Sequence, residues 1–308
     1  MTQRNALVIG GTGFVGSSLV RWLKLREHNV RVISRSSPDV RDGAVDLRVG
    51  LASDVNLLRS ALEGVHTCYH LVSATVPATS NNDVLFDLDN NLRTLVTVLN
   101  ACVEVGVRKI VFTSSGGTVY GPTNIVPISE CHPLHPVSAY GVTKVASELY
   151  LDLYHKLHGI DYGVARLANP YGPGQSLLRG QGVIPIFLDR IARGETINIW
   201  GDGSAIRDYL YVDDAAEAIV LIGQNTSSVR TFNVGSNLGV SLNELISAIE
   251  TVVGKKASVS YSEGRVSDVP VNVLDCELIS GVLGWKVRHN LLQGLDLTWR
   301  HMKRTTKY

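Results

Sequence analysis

A glycine-rich turn follows the first apolar segment of the chain. Residues 6–9 are apolar and run directly into Gly10-Gly11-Thr12-Gly13-Phe14-Val15-Gly16, after which apolar residues recur with helical spacing. Gly10 permits a tight turn, Gly13 lets a pyrophosphate approach the backbone, and Gly16 allows close packing of the helix on the strand. Unpaired N–H groups at the helix start attract phosphates. The turn therefore predicts a dinucleotide-binding site. Its expected cofactor-binding residues are Gly10, Gly13, Phe14, Val15 and Gly16.

Short β-branched segments alternate with helical ones through the first half of the chain. The predicted strands are residues 6–9, 30–33, 68–72, 110–113 and 164–167. This alternation predicts an α/β fold with a doubly wound parallel (Rossmann) sheet. Prolines and glycines crowd the chain from Asn169 onward. We therefore expect a dinucleotide-binding domain over residues 1–168 and a smaller substrate-binding lobe over 169–308, with a segment near 207–236 returning to the first domain.

Composition and charge exclude several classes of protein. The chain has 29 Lys+Arg against 28 Asp+Glu, so no overall field recruits nucleic acid or an anionic membrane. The N-terminal residues lack an apolar region before a cleavage site, and no long uncharged apolar run occurs. Four widely spaced cysteines predict neither a disulfide framework nor a metal site. We expect a cytoplasmic protein without a bound metal.

The end of the second predicted strand bears on the choice of cofactor. An acid at this point holds the adenine ribose of NAD, but here the chain has Ser34 and Arg35. A guanidinium can pair with a 2′-phosphate, which favours NADP, although Arg35 could equally stack on adenine or face solvent. Both NAD and NADP remain open, and both residues are expected to bind the cofactor.

A tyrosine and a lysine share one face of a long predicted helix. Tyr140 and Lys144 are four residues apart, and Ser115 ends the preceding strand, which opens into the cofactor crevice. A phenol ionises near pH 10, and neighbouring positive charges would lower its pKa by about 1–3 units. We therefore expect Tyr140 to act as general acid/base, with Ser115 orienting a substrate hydroxyl. Ser114 and Thr118 are alternatives for the serine role.

These motifs resemble the extended short-chain dehydrogenase/reductase superfamily, in particular its nucleotide-sugar epimerase branch, typified by UDP-glucose 4-epimerases. The resemblance covers nearly the whole chain. It includes the glycine-rich turn, His70-Leu71, Asn91, Ser114-Ser115-Gly116-Gly117-Thr118-Val119-Tyr120-Gly121, Tyr140/Lys144, Arg166-Leu167-Ala168-Asn169-Pro170-Tyr171-Gly172-Pro173-Gly174, Gly201-Asp202-Gly203, Arg207-Asp208-Tyr209, Tyr211-Val212-Asp213-Asp214, Asn233-Val234-Gly235-Ser236 and Leu283-Gly284-Trp285.

The resemblance implies roles for individual residues. Tyr140 would be the acid/base with Ser115 as its partner, and Lys144 would bind the nicotinamide ribose. Leu71 and Asn91 would also line the cofactor site. The residues implied to bind substrate are Ser115, Asn169, Arg207, Arg265, Asp268 and Asn272. Departures from the family pattern occur at Ser34/Arg35, at Leu51 and at Thr94. Asn272 stands where the family has a gate beside C2 of the sugar, and its size leaves N-acetylated sugars open.

The leading hypothesis is an epimerase that inverts C4 of a UDP-hexose through a 4-keto intermediate. The first alternative is an NADPH-dependent reductase or dehydrogenase of a nucleotide sugar or another carbonyl compound. A 4,6-dehydratase is disfavoured because Gly116-Gly117-Thr118 supplies no acid. A non-catalytic cofactor-binding protein is disfavoured because Tyr140 and Lys144 are both present. UDP and dTDP are not distinguished by the sequence. The excess of leucines on the catalytic helix suggests a homodimer.

Overall fold

The computed structural model describes residues 4–36, 45–177, 182–264 and 269–306. Its largest element is a seven-stranded parallel sheet, and described helices connect most of its successive strands. The strands are β1 Asn5–Ile9, β2 Asn29–Ser34, β3 Asp46–Val49, β4 Thr67–His70, β5 Lys109–Ser115, β6 Asp161–Leu167 and β10 Thr231–Val234. Their spatial order is β10-β6-β5-β4-β1-β2-β3, and every pair is parallel. The predicted doubly wound sheet is confirmed.

Helices cover both faces of this sheet and build most of the second lobe. They are α1 Phe14–Leu25, α2 Val55–Leu62, α3 Val84–Asp87, α4 Thr94–Val105, α5 Ala139–His158, α6 Val183–Arg193, α7 Val212–Gln224, α8 Leu242–Val253, α9 Glu277–Leu283 and α10 Leu291–Thr305. A π-helical segment, Leu88–Arg93, joins α3 to α4. No helix among the described residues combines the length and apolarity needed to cross a bilayer.

Because side chains alternate in direction along each strand, the apolar core is divided between the two faces of the sheet. In β1, Ala6 and Val8 join one apolar cluster while Leu7 and Ile9 join the other, and all four are buried. Successive side chains point to opposite faces of a strand, so a strand covered on both faces is apolar throughout. This explains why residues 6–9 of β1 are uninterrupted by polar residues.

The remaining strands form two small sheets. They are β7 Asn169–Tyr171, β8 Thr196–Trp200, β9 Ile206–Tyr211, β11 Gly239–Ser241, β12 Ser258–Ser262 and β13 Val271–Asn272. β9 pairs with β7, β11 and β13, and β8 pairs with β12. A third apolar cluster lies among α6, α8, α10 and these strands.

The segment after β9 lies against the large sheet. α7 packs on α1, and β10 pairs with β6, whereas β9 itself belongs to a small sheet. The division into two lobes stays a prediction. We propose that the segment returning to the first lobe begins at Val212 rather than near residue 207, because β9 bonds only to strands of the second lobe among those described.

Candidate active site

The glycine-rich turn lies at the carboxyl end of β1 and opens α1. Gly10 has φ +89°, a conformation that residues with a Cβ rarely adopt. A Cβ on Gly16 would collide with the Gly10 carbonyl oxygen, so only glycine lets α1 approach this closely. Gly13 precedes the first helical residue, Phe14, and Val15 follows in the first turn of α1. The turn has the shape that a dinucleotide pyrophosphate requires.

A cavity of about 320 Å³ extends from this turn across the carboxyl ends of β1, β2 and β4. Gly10, Gly13 and Leu71 line it at one end, and Ser34 and Arg35 line it at the other. The Ser34 hydroxyl lies 2.6 Å from that of Thr12, which fixes the end of β2, and Arg35 is exposed. The residues present therefore fit a dinucleotide, with the phosphates at the turn and the adenosine near Arg35.

A larger depression, of about 1220 Å³, lies on the opposite edge of the sheet, between Arg4 and Arg31 at the amino ends of β1 and β2. Ligands of doubly wound sheets bind outside the carboxyl ends of the strands, at the point where strand order reverses. The smaller cavity is at that point, between β1 and β4. We therefore assign the candidate site there.

Tyr140, Ser115 and Lys144 come together at this edge. Ser138 caps α5 by accepting a hydrogen bond from the Gly141 N–H, which places Tyr140 in the first turn. Ser115 ends β5, and its hydroxyl favours the ionised form of Tyr140. The Lys144 ammonium donates to the carbonyl of Thr113 at 2.8 Å and lies 5.4 Å from the centre of the Tyr140 ring. The spacing predicted from the sequence is thus realised in space.

The electrostatics of Tyr140 differ from the sequence-based expectation. Burial, and after it the negative charge of Asp87, raises the pKa of Tyr140 to about 12. The Ser73 and Ser115 hydroxyls act to lower the pKa of Tyr140. The protein by itself does not lower this pKa, because burial outweighs every other contribution. The predicted lowering by Lys144 together with a nicotinamide cation stays a prediction.

Lys144 is itself buried, with 4% of its surface exposed. Burial lowers its pKa to about 8, against the charges of Glu148 and Asp87, which act to raise it. Lys144 thus keeps its proton at neutral pH. Burial, together with the Lys144 charge, lowers the pKa of the neighbouring His70 to about 3, so His70 is neutral.

A buried carboxylate lies behind the catalytic residues, and the sequence analysis missed it. Asp87 is fully buried and accepts hydrogen bonds from the hydroxyls of Thr75 and Thr143 and from the Asn91 amide. The Asn91 oxygen accepts from the Ala74 N–H at 2.8 Å. Asn91 therefore holds the loop after β4 in place by hydrogen bonds. Its predicted contact with the cofactor stays a prediction. Asp87 lies in an apolar-rich segment with no motif, so no signal marked it.

A second buried network engages Ser114, one of the two alternatives for the serine role. The Ser114 hydroxyl bonds to Glu148 at 2.5 Å, away from Tyr140, because neighbouring residues of β5 face opposite sides. Glu148 in turn forms a buried ion pair with Arg166 at 2.6 Å, and Arg166 donates to the Tyr120 hydroxyl. Ser114 is thus a structural residue. Thr118, the other alternative, has a buried hydroxyl with no hydrogen-bond partner among the described residues.

Two of the six predicted substrate residues line a crevice on the side of the second lobe. Asn169 and Arg207 border a cavity of about 620 Å³, with aromatic and aliphatic walls. Asn169 donates to the Asp208 carbonyl at 2.9 Å, and Arg207 donates to that of Ile206. Asn272 is buried and donates to the Gly116 carbonyl, while its own side-chain oxygen has no partner among the described residues. Arg265 and Asp268 lie outside the described residues.

Together, the dinucleotide turn and the Ser–Tyr–Lys arrangement define a nicotinamide-dependent enzyme of the short-chain dehydrogenase/reductase type. The chain matches the NAD dependent epimerase/dehydratase family over residues 6–235, and it belongs to that family. This membership confirms the predicted superfamily and the predicted cofactor class, NAD or NADP.

Relatives of known name cover nearly the whole chain. The UDP-glucose 4-epimerase of Mycolicibacterium smegmatis is 35% identical over 95% of this chain and 96% of its own length. The dTDP-4-dehydro-6-deoxyglucose reductase of Escherichia coli is 31% identical over 96% of each chain. The crystal structure of the Thermotoga maritima UDP-glucose 4-epimerase with UDP-glucose superposes with a TM-score of 0.93, at 32% identity, and covers 98% of this chain and 99% of that one.

Proposed function

We propose that this protein is a nicotinamide-dependent epimerase that inverts C4 of a UDP-hexose through a 4-keto intermediate. The observation that carries the proposal is the position of the Tyr140 hydroxyl. It lies near Ser115 at the carboxyl-end edge of the large sheet, where the dinucleotide cavity follows β1, β2 and β4 and the crevice of the second lobe follows β6. A sugar bound in that crevice can present one hydroxyl to Tyr140. The epimerases among the relatives support this assignment.

In the mechanism, the protein moves one proton and holds the sugar. Tyr140, once ionised, takes the proton of the sugar 4-hydroxyl, while Ser115 orients that hydroxyl by a hydrogen bond. A nicotinamide dinucleotide held at the glycine-rich turn would supply the acceptor and donor of the hydride at C4. The 4-keto sugar would turn over in the pocket so that the opposite face of C4 is reduced, and Tyr140 would return the proton to the 4-oxygen. Lys144 stabilises the ionised Tyr140 and binds the nicotinamide ribose.

The diphosphate must stay fixed while the hexose turns. Arg207 supplies a planar guanidinium at the crevice, and guanidinium groups bind phosphates through paired hydrogen bonds. Asp208 and Asp213, the acids that follow it closely in the sequence, are engaged elsewhere: Asp208 accepts from Ser236, and Asp213 pairs with Arg21. The Arg207 guanidinium can therefore serve a ligand. We propose that Arg265 and Asp268 complete this anchor, with Asp268 on the ribose.

The choice of hexose depends on the group beside C2. Asn272 stands where the resemblance places the gate, and its buried amide oxygen can accept a hydrogen bond. The N–H of an acetamido group at C2 can donate that hydrogen bond, and a 2-hydroxyl can donate it as well. We propose that both UDP-glucose/galactose and their N-acetylated counterparts are substrates.

The reductase alternative has one specific observation in its favour, the similarity to a dTDP-sugar reductase. The two functions differ in their use of the cofactor. An epimerase returns the hydride that it takes, so the cofactor is not consumed. A reductase consumes NADPH in proportion to product.

The decisive experiment incubates the purified protein with UDP-glucose and no added cofactor. We expect conversion to UDP-galactose until the two sugars reach equilibrium, with no change in nicotinamide absorbance at completion. Denaturing the protein should release bound cofactor, and mass spectrometry would identify it as NAD or NADP. A protein that interconverts no UDP-sugar, yet oxidises added NADPH with a keto sugar, would be a reductase instead.

We also propose that the protein forms a homodimer through α5. Leu149, Leu153 and Leu157 lie on one face of this helix and are exposed, while Leu151 and Tyr154 are buried in the core. α3 packs beside α5 and adds further exposed apolar side chains, among them Leu85 and Phe86. Apolar surface of this extent on a helix pair is typical of an interface between subunits.

The double variant Leu149→Glu/Leu157→Glu tests the dimer. We expect light scattering to give twice the chain mass for the natural protein and the single chain mass for the variant, since burying two carboxylates in an apolar interface is costly. Leu25→Glu, a change at an equally exposed leucine on α1, is the matched control and should stay dimeric. A natural protein that elutes as a monomer contradicts the proposal.

We propose a cytoplasmic location. All four cysteines, including the exposed Cys131, are free, which fits a reducing compartment.

A further inference from the structure

The segment between β4 and α4 bonds to the first turn of α5, which carries Tyr140. The Ser80 hydroxyl accepts a hydrogen bond from the Tyr140 N–H at 3.1 Å. The Asn81 side-chain oxygen accepts from the Ala139 N–H at 2.8 Å. The first N–H groups of a helix have no partners within the helix, so both acceptors satisfy groups that would otherwise be unpaired. The backbone of Tyr140 is therefore held from outside its own helix.

A buried side-chain contact joins the same two segments. Thr143, one residue before Lys144 in α5, donates its hydroxyl proton to Asp87. Thr143 is 7% exposed and Asp87 is 0% exposed. Asp87 also accepts from the Thr75 hydroxyl and, at 3.0 Å, from the Asn91 amide. All three partners donate, which matches the acceptor-only character of an ionised carboxylate.

The Thr143 hydroxyl has an alternative partner that it does not use. A serine or threonine inside a helix can donate to the carbonyl four residues earlier, and Ser147 of α5 does so to the Thr143 carbonyl at 2.7 Å. The corresponding acceptor for Thr143 is the Ala139 carbonyl. Its single proton goes to Asp87 instead. This hydrogen bond therefore joins α5 to another segment rather than to itself.

Asp87 connects this turn of α5 to the wall of the dinucleotide cavity. Asn91 donates to the Thr75 hydroxyl at 2.9 Å and accepts from the Ala74 N–H at 2.8 Å. Ala74 belongs to the loop after β4 and lines the cavity. Because Asp87 bonds to Thr75 and Asn91 as well as to Thr143, one carboxylate links this loop to α5.

We propose that Asp87 is a positioning residue for the acid/base: through Thr143 it holds the turn of α5 that carries Tyr140 in a fixed place against the loop that lines the dinucleotide cavity. This inference rests on the proposed function, because it concerns the same proton transfer. A displacement of reacting groups by about 1 Å can cost on the order of 100-fold in rate. The role accounts for a carboxylate at a fully buried position, where a charge without partners would be costly.

Thr143→Val is the first test variant, because it removes one hydroxyl, keeps the shape of the side chain and leaves Asp87 in place. We expect kcat for epimerisation to fall about 10–100-fold, with KM for UDP-glucose and the amount of bound cofactor unchanged. Thr143→Ser keeps the hydroxyl and should restore most of kcat. A Thr143→Val variant with the natural kcat overturns the inference, as does a Thr143→Ser variant that is equally slow.

Asp87→Asn tests the other partner of the same contact. Its kcat is taken at the optimum pH of the variant, because the change also removes the charge that raises the pKa of Tyr140. We expect a fall in kcat similar to that of Thr143→Val, and the double variant Asp87→Asn/Thr143→Val should fall no further, since both changes break one contact. Additive losses in the double variant would show that the two residues act independently.

Thr298→Val is the matched control. Thr298 is 1% exposed in α10 and donates to the Gly294 carbonyl of its own helix at 2.6 Å. This variant loses a buried hydroxyl as Thr143→Val does, yet it should keep the natural kcat. If KM rises or cofactor is lost in step with kcat in Thr143→Val, the defect is a general structural one and the inference fails.

Amide hydrogen exchange tests the contact without turnover. We expect residues 139–143 to exchange about tenfold faster or more in Thr143→Val, the effect of losing a hydrogen bond to a charged group, with exchange in α10 unchanged. Mass spectrometry of peptides from the exchanged protein measures both segments. Unchanged exchange of residues 139–143 overturns the inference. A natural protein that interconverts no UDP-sugar is a separate result, since it contradicts the proposed function while the exchange still reports the contact.

Discussion

Replacing Tyr140 by phenylalanine should reduce kcat for epimerisation by about 10²–10⁴-fold, the usual contribution of a general acid/base. The change removes one oxygen, the atom whose ionisation the Ser73 and Ser115 hydroxyls favour. The dinucleotide turn and Lys144 are untouched, so the cofactor should remain bound. Initial rates with UDP-glucose, together with the amount of cofactor released on denaturation, measure both effects.

Tyr150→Phe is the matched control for this prediction, because it removes the same oxygen from an exposed tyrosine on the same helix. We expect its kcat to equal that of the natural protein. If Tyr140→Phe kept full turnover, the acid/base would have to be another group. If it lost the cofactor as well, the effect would be structural.

Replacing Arg166 by leucine should lower the free energy of unfolding by about 3–5 kcal/mol, because it leaves the Glu148 carboxylate buried without its partner. Arg166 and Glu148 are 6% and 8% exposed, and their side chains meet at 2.6 Å. Arg166 also donates to the Tyr120 hydroxyl and to the Glu130 carbonyl, which lose a donor. Denaturant unfolding measures the change.

The double variant Arg166→Leu/Glu148→Leu separates the unpaired charge from the lost packing. We expect it to regain most of the stability, since replacing both partners of a buried ion pair with apolar residues is often neutral. A double variant as unstable as the single one would show that the hydrogen bonds to Tyr120 and Glu130 dominate. The exposed pair Arg59–Glu104 is the control, and Arg59→Leu should cost less than about 1 kcal/mol.

The positions of the candidate catalytic residues were largely predictable because their signals in the sequence are local. The turn from Gly10 to Gly16 joins a strand to a helix, and its glycines are required by contacts within that turn, such as the approach of Gly16 to the Gly10 carbonyl. Tyr140 and Lys144 share a face because helical spacing puts them there. The role proposed for Ser115 follows from its position at the end of a predicted strand.

Buried polar partners were not predictable in the same way. Asp87 lies in a segment without a motif, and its importance arises from hydrogen bonds with Thr75 and Thr143, which are distant in sequence. The choice of Ser115 over Ser114 also required the structure, because it depends on which face of β5 each side chain occupies. Arg166 belongs to a sequence motif, but no pattern in the sequence indicated that it pairs with Glu148 of α5.

The sequence by itself determined the doubly wound sheet, the dinucleotide turn and the spacing of Tyr140 and Lys144, since periodicity and turn chemistry act over a few residues. Only the tertiary structure decided the protonation of the site. The pKa of Tyr140 and that of Lys144 depend on burial and on the charges of Asp87 and Glu148, which folding brings together. Desolvation is a property of the packed molecule, and no local pattern of residues carries it.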